Sequence, residues 1–148
     1  MTTIVYDHLN QTVTADSRVT SGGFVNSDDY EKCWITPEYV FWFAGVFADI
    51  QTVVENYPCG FEGAPECSGF VFYRKTGEFK SIGWSSEREY QCELEWNEAI
   101  GSGEHFALAA LDMGATPEEA VAYAATRDTA TGGVIRHYKL EDYLVFED

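Results

Sequence analysis

Polar and apolar residues alternate from Thr3 to Tyr6 and again from Thr12 to Ala15, with Asp7 to Gln11 as turn material between them. A period of two belongs to a strand with one face buried, so the chain is expected to open on a β-hairpin. Ser21-Gly22-Gly23 marks the next turn. Strands are expected over Glu31 to Ile35 and Tyr39 to Ala44, both rich in aromatic and β-branched residues. After Gly45 the period lengthens. Phe47, Ile50, Val53 and Val54 recur at helical spacing and predict a short helix ending near Tyr57. The Pro/Gly-rich stretch 58–68 reads as a loop, and Phe70 to Arg74 and Phe79 to Trp84 as strands around a Lys75-Thr76-Gly77 turn. Residues 85–98 carry no clear period.

Gly101-Ser102-Gly103 opens a second helix, Glu104 to Met113, which Gly114 ends. Thr116-Pro117-Glu118-Glu119 supplies a cap residue, a proline at the first helical position and a glutamate at the third, the signature of a third helix running to about Arg127. Strands are expected at Val134 to Tyr138 and Tyr143 to Phe146. Strands, a helix, strands, two adjacent helices and strands again argue an α+β fold in one domain, 1–148, rather than alternating βα units.

Composition narrows the function classes. A formal net charge of −16 would repel phosphate backbones and argues against a nucleic-acid partner. No apolar run reaches the roughly 18 residues of a membrane helix, and no secretion signal is evident, so a cytoplasmic protein is expected. Cys33, Cys59, Cys67 and Cys92 contain no CxxC pair and are expected as buried or free thiols. His8, His105 and His137 have no carboxylate or cysteine at metal spacing, so no metal and no cofactor is expected. The acidic run Glu87, Glu89, Glu93, Glu95 and Glu98 reads as a solvated face.

The candidate chemistry starts at Met1-Thr2-Thr3. A small second residue permits removal of the initiator Met, which leaves Thr2 with a free α-amine. Such an amine has an ordinary pKa of about 7.7–8.0 and can act as a base toward the hydroxyl of its own residue. Alone this is a common way for a chain to begin. Asp16 reads equally as a turn residue, Lys32 as a solvated strand lysine and Gly45 as a helix-start glycine.

Spacing adds weight. Thr2-Thr3-Ile4-Val5, Thr14-Ala15-Asp16-Ser17-Arg18, Lys32 sixteen residues after Asp16, Phe43-Ala44-Gly45 with Ala48-Asp49, Gly101-Ser102-Gly103 and Asp128-Thr129-Ala130-Thr131-Gly132-Gly133 follow in that order. Together they resemble the proteasome β-subunit family of N-terminal-nucleophile hydrolases, and within it the bacterial ATP-dependent proteasome-like peptidase, with Thr131 where the family has serine. The resemblance implies an αββα four-layer sandwich. Only about twenty residues separate Asp49 from the strand at Phe70, so one helical layer is expected to be reduced, as would suit a compact genome such as a phage's.

The resemblance also implies roles. Thr2 would be the nucleophile, with its amine as proton acceptor. Lys32 would favour the alkoxide, and Asp16 would hold Lys32. The Gly45 N–H would face the oxyanion. Ser102, Asp128 and Thr131 would fix the amine. Val19 and Thr20 would pair with bound peptide, Phe43 would floor a shallow side-chain pocket, and Phe47 would crowd the groove. The expected activity is a threonine peptidase or amidase on a peptide or protein substrate, in a homo-oligomer fed by an ATP-dependent unfoldase. The alternative is a catalytically silent subunit serving as a binding or structural module.

Overall fold

The computed structural model describes residues 2–60, 62–86 and 88–146. These form two compact units, one of residues 2–32 and 95–142, the other of the described residues within 33–94 and 143–146.

The first unit is built on a four-stranded antiparallel sheet. β1 (Ile4–Asp7) and β2 (Thr12–Ala15) form the expected hairpin, with Val5 opposite Thr14 and Asp7 opposite Thr12. β3 (Val19–Ser21) and β4 (Phe24–Ser27) make a separate two-stranded hairpin around Gly22-Gly23. Sequence reading saw that turn but not its strands, because Val19 to Ser27 is half-exposed and lacks a clean apolar alternation.

Two helices cover one face of the four-stranded sheet. α2 spans Glu104–Asp112 and α3 spans Pro117–Arg127. Val5 and Ala99 pack there against Ala107, Ala120, Val121 and Ala124. Alanine at the contacts lets helix and sheet backbones approach closely. The start of α3 is as its sequence dictates: the Thr116 hydroxyl accepts from the Glu119 N–H at 3.2 Å, and the Glu119 carboxylate accepts from the Thr116 N–H at 3.0 Å. Such a cap stabilises a helix by about 1 kcal/mol.

The second unit is a five-stranded antiparallel sheet with one helix. Its strands are β5 (Trp34–Ile35), β6 (Tyr39–Gly45), β7 (Cys67–Tyr73), β8 (Phe79–Ser85) and β9 (Arg88–Glu93). Helix α1, Phe47–Asn56, buries Ile50 and Val53 against Phe41, Phe43, Val71 and Ile82. Val40 to Ala44 are all buried, so β6 reads as an unbroken apolar run rather than an alternation. The loop after α1 contains no further helix among its described residues.

Several expectations are corrected. The strand expected over Glu31 to Ile35 shrinks to β5, and Lys32 lies in irregular chain. β9 lies within the stretch without a period, and β10 (Glu98–Ile100) begins at its last residue. β9 is charged and largely exposed, as an edge strand is; Glu87 lies outside the described residues. β11 runs Arg136–Lys139, two residues later than expected at its start. The last expected strand, Tyr143 to Phe146, does not form: a 3-10 turn, Leu140–Tyr143, ends at its first residue, and residues 144–146 are irregular, with the Val145 N–H donating to the Arg74 carbonyl at 2.9 Å. One such bond does not make a ladder.

Candidate active site

The end of the β1–β2 hairpin near the start of the chain carries a buried cluster of polar side chains. A buried charge needs partners, and Asp16 has four donors. The Thr3 N–H and Lys32 Nζ donate to its Oδ1 at 3.1 and 2.8 Å, and the Arg18 and Gly132 N–H groups donate to Oδ2 at 3.3 and 3.0 Å. Lys32 is 3% exposed, and its Nζ donates a second bond to Thr2 Oγ1 at 2.9 Å. Burial pushes the Lys32 ammonium below the ordinary lysine range, while the charge and hydrogen bond of Asp16 pull the other way.

Lys32 reaches this position although no strand holds it. Residues 28–31 are tied along their length to neighbouring chain of the same unit. The Tyr30 N–H donates to the Ser17 carbonyl at 3.0 Å, and the Val134 N–H to the Asp28 carbonyl at 3.1 Å. Arg136 Nη2 donates to Asp29 at 2.7 Å, and the Tyr138 hydroxyl to Glu31 at 3.2 Å.

A second set of bonds approaches Thr2 from the other side. Ser102 and Thr131 hydroxyls donate to the same oxygen of Asp128, at 2.5 and 2.6 Å, and the Ala130 N–H donates to the other at 3.1 Å. Burial works against the Asp128 charge, yet the bonds from Ser102, Thr131 and Ala130 hold its carboxyl below the ordinary aspartate range. Each hydroxyl has one proton to give. With that proton committed to Asp128, Ser102 Oγ accepts from the Thr2 N–H at 3.2 Å, and Thr131 Oγ1 accepts from Thr3 Oγ1 at 2.7 Å. Every donor in the set therefore points toward Asp128.

The glycines of Gly101-Ser102-Gly103 are needed for this approach. Gly101 has φ +101°, and a Cβ there would lie 2.0 Å from the Thr2 carbonyl oxygen. A Cβ on Gly103 would lie 2.0 Å from Thr3 Oγ1. Only a chain without side chains at both positions can lay Ser102 beside Thr2.

Thr2, Asp16, Lys32, Ser102, Asp128 and Thr131 thus come together within the first unit. Val19 and Thr20 lie on β3, half-buried. The other expected residues belong to the second unit. Gly45 closes β6, two residues before α1 begins. Phe43 is 1% exposed in that unit's core, stacked on Phe41 with ring centroids 5.2 Å apart. Phe47 opens α1 and packs edge-on against Trp34. Met1, whose removal the mechanism requires, lies outside the described residues.

Two residues of the cluster escaped the sequence reading. Thr3, fully buried, ties both sets of bonds together through its N–H and its hydroxyl. Its signal is a hydroxyl immediately ahead of β1. The Arg18 guanidinium pairs with both oxygens of Asp28 at 2.8 and 3.1 Å and donates to the Thr129 carbonyl at 3.0 Å, which pins the 128–133 loop. A pair ten residues apart in irregular chain leaves no local pattern to read.

Among the described residues, no His/Cys/Asp/Glu group could hold a metal ion, and no helix is long and apolar enough to cross a membrane.

The sequence matches no protein-family model and no curated protein. The fold does match solved structures. Eukaryotic HslV from Trypanosoma brucei is similar over 91% of this chain and 97% of its own, at 23% identity and TM-score 0.69. BPH of Thiobacillus denitrificans is similar over 93% and 96%, at 14% identity and TM-score 0.67. The same protein in complex with epoxomicin gives 16% identity, 93% and 96% coverage, and TM-score 0.61. The chain therefore has the α+β fold of proteasome-like N-terminal-nucleophile hydrolases, with three α-helices and several antiparallel sheets among the described residues.

Proposed function

We propose that this protein is a threonine-type peptidase or amidase that acts through Thr2 after loss of Met1. The observation that carries the proposal is the position of Lys32 Nζ, buried and 2.9 Å from Thr2 Oγ1 and 2.8 Å from Asp16. A scaffold has no use for a lysine drawn out of water beside a threonine hydroxyl, because its desolvation is costly. A nucleophile does, since a fixed cation favours the alkoxide.

In this reading the free amine of Thr2 takes the Oγ1 proton, directly or through a water, as Oγ1 attacks the substrate carbonyl carbon. The C–N bond of the tetrahedral adduct then breaks. The departing amine takes the proton from the α-ammonium and leaves an ester on Oγ1. A water, deprotonated by the same amine, hydrolyses that ester and restores the hydroxyl. Lys32 stays a cation throughout. The amine gives one N–H to Ser102, which keeps its lone pair turned to the reaction; the ionised Asp128 enforces that direction by taking the Ser102 proton. Gly45 N–H would serve the oxyanion, Val19 and Thr20 the peptide backbone, and Phe43 and Phe47 the side-chain groove. The two units would act as one domain in the four-layer αββα arrangement, with α1 as the reduced layer. A cytoplasmic homo-oligomer fed by an ATP-dependent unfoldase completes the proposal.

The test is an epoxyketone such as epoxomicin, whose warhead reacts with both hydroxyl and amine of an N-terminal threonine. Intact mass should show loss of Met1 and one adduct on Thr2, with none on Thr2→Ala. A processed, folded protein that takes no adduct would identify a silent subunit.

A further inference from the structure

We propose that Arg18 and Asp28 are a positioning pair for the reaction at Thr2: without touching the reacting atoms, they hold the 128–134 segment where Asp128 orients the Thr2 amine. The proposal rests on the reading of Thr2 as a nucleophile and adds to it two side chains that take no part in bond making or breaking.

An exposed ion pair usually does little for a fold. This one sits at a junction. Arg18 immediately precedes β3 and Asp28 immediately follows β4, so the pair closes the base of that hairpin. The guanidinium is a planar fork with five N–H donors. Its Nε and Nη2 donate to the two Asp28 oxygens at 2.8 and 3.1 Å, and Nη1 donates to the Thr129 carbonyl at 3.0 Å. Asp28 therefore fixes the plane of the fork, and the remaining arm reaches the residue next to Asp128.

Gly132 and Gly133 show how closely the segment is gripped. A Cβ on Gly132 would lie 2.6 Å from Arg18 Cζ and 2.8 Å from both Nε and Nη2. Three guanidinium atoms at nearly one distance place the guanidinium face against Gly132. A Cβ on Gly133, which has φ +77°, would collide with the Asp28 carbonyl oxygen, and that oxygen accepts from the Val134 N–H at 3.1 Å. A side chain at either glycine would push the segment away from its restraints. Backbone bonds fix Gly132 itself: its N–H donates to Asp16 Oδ2 and its carbonyl accepts from the Ser17 N–H, both at 3.0 Å. Arg18 extends that hold to Thr129.

The consequence reaches the amine in two steps. Asp128 takes the Ser102 proton at 2.5 Å, and Ser102 Oγ accepts from the Thr2 N–H at 3.2 Å. Moving Asp128 by about 1 Å breaks the first of these bonds. Ser102 is then free to turn its proton onto the amine lone pair, which is the base of the reaction. A misplacement of that size costs about 10²-fold in rate. Lysine at position 18 would carry the same charge without the fork and could not hold Asp28 and Thr129 together.

The test compares wild type with Arg18→Lys, Asp28→Asn and Gly132→Ala. Each is processed, checked for folding by circular dichroism, counted by epoxyketone labelling of Thr2, and assayed on a fluorogenic peptide amide. All three should lose at least about tenfold in kcat per labelled site, with KM nearly unchanged. Gly132→Ala keeps both charges and displaces only the guanidinium, so its loss separates position from charge. A second readout separates positioning from stability. In a Ser102→Ala background the residue through which Arg18 acts is gone, so Arg18→Lys should lower kcat by less than about twofold more, while its effect on Tm persists. An unchanged kcat in Arg18→Lys, or a full multiplicative loss on top of Ser102→Ala, would overturn the proposal. A wild-type protein that takes no adduct and hydrolyses nothing would overturn the reading of Thr2 and the positioning pair with it. A labelled, active wild type beside an equally active Arg18→Lys would remove the pair alone.

Discussion

Replacing Lys32 by methionine separates the contribution of its charge from that of its volume. Methionine fills nearly the same space, so no large cavity forms. The bond to Thr2 Oγ1 at 2.9 Å and the ion pair to Asp16 at 2.8 Å vanish. Removing one member of a buried pair commonly costs about 3–5 kcal/mol. Here Asp16 keeps the N–H groups of Thr3, Arg18 and Gly132. The variant is also relieved of a buried lysine's desolvation. A net loss of about 2 kcal/mol follows, or roughly 4–8 °C in Tm for a chain of this size. The catalytic effect should be larger. Losing one preorganised charge at the site of developing negative charge costs about 10²- to 10³-fold in kcat. Hydrolysis of a fluorogenic peptide amide by processed protein, beside a thermal melt, reads both numbers. A folded Lys32→Met protein that keeps more than about a tenth of wild-type kcat would refute the assignment of Lys32. A variant more stable than wild type would show that the pair with Asp16 is a net cost to the fold.

Two further perturbations bear on the other set of bonds. Thr131→Val takes one hydroxyl donor from Asp128 and the hydroxyl's partner from Thr3, so the Asp128 carboxyl should rise toward its ordinary range. A carboxyl held low by the fold contributes stability above its unfolded pKa and loses it as pH falls through its folded pKa. The acid limbs of both activity and stability should accordingly move to higher pH, read by pH–rate profiles and acid titration of circular dichroism; unchanged limbs would remove Thr131 from the network. Gly101→Ala and Gly114→Ala make a matched pair, since both glycines have φ +101° but only at Gly101 does the Cβ collide, 2.0 Å from the Thr2 carbonyl, with nothing within 4 Å at Gly114. Both should lose about 1–3 kcal/mol to backbone strain, and only Gly101→Ala should lose activity per folded molecule.

Legibility in the sequence followed the strength of local signals. The third helix was readable in four residues, Thr116-Pro117-Glu118-Glu119, because a capping box is a local device. The opening hairpin was readable because two short runs, Ile4–Asp7 and Thr12–Ala15, flank a polar turn, although both strands are buried along their whole length. β3, β4 and β9 were not, since exposed or edge strands have no buried face to impose a period. The closing strand expected at Tyr143 to Phe146 does not form, and Tyr143 serves instead as a ring against Trp42, 6.3 Å between centroids. Among the site residues, Asp16, Lys32, Ser102, Asp128 and Thr131 were marked by their order along the chain rather than by local chemistry. Lys32 in particular was open to reading as a solvated lysine, and its burial depends on ties to Ser17, Val134, Arg136 and Tyr138 that no window around it contains.

That dependence bears on how the cluster would fail. Two sets of side-chain hydrogen bonds meet at Thr2. One runs through Lys32 to Asp16, the other through Ser102 to Asp128 and back through Thr131. Thr3 closes the ring, its N–H on Asp16 and its hydroxyl on Thr131. Arg18 and Asp28 brace the loop that carries Asp128 and Thr131. Substitutions on opposite sides of such a ring should not add, because the first already loosens Thr2. Sensitivity concentrated in a few side chains at 2.5–3.3 Å is what a reacting hydroxyl needs and what a passive core position does not. It also explains why single residues in this sequence say so little, while six of them in order say a great deal.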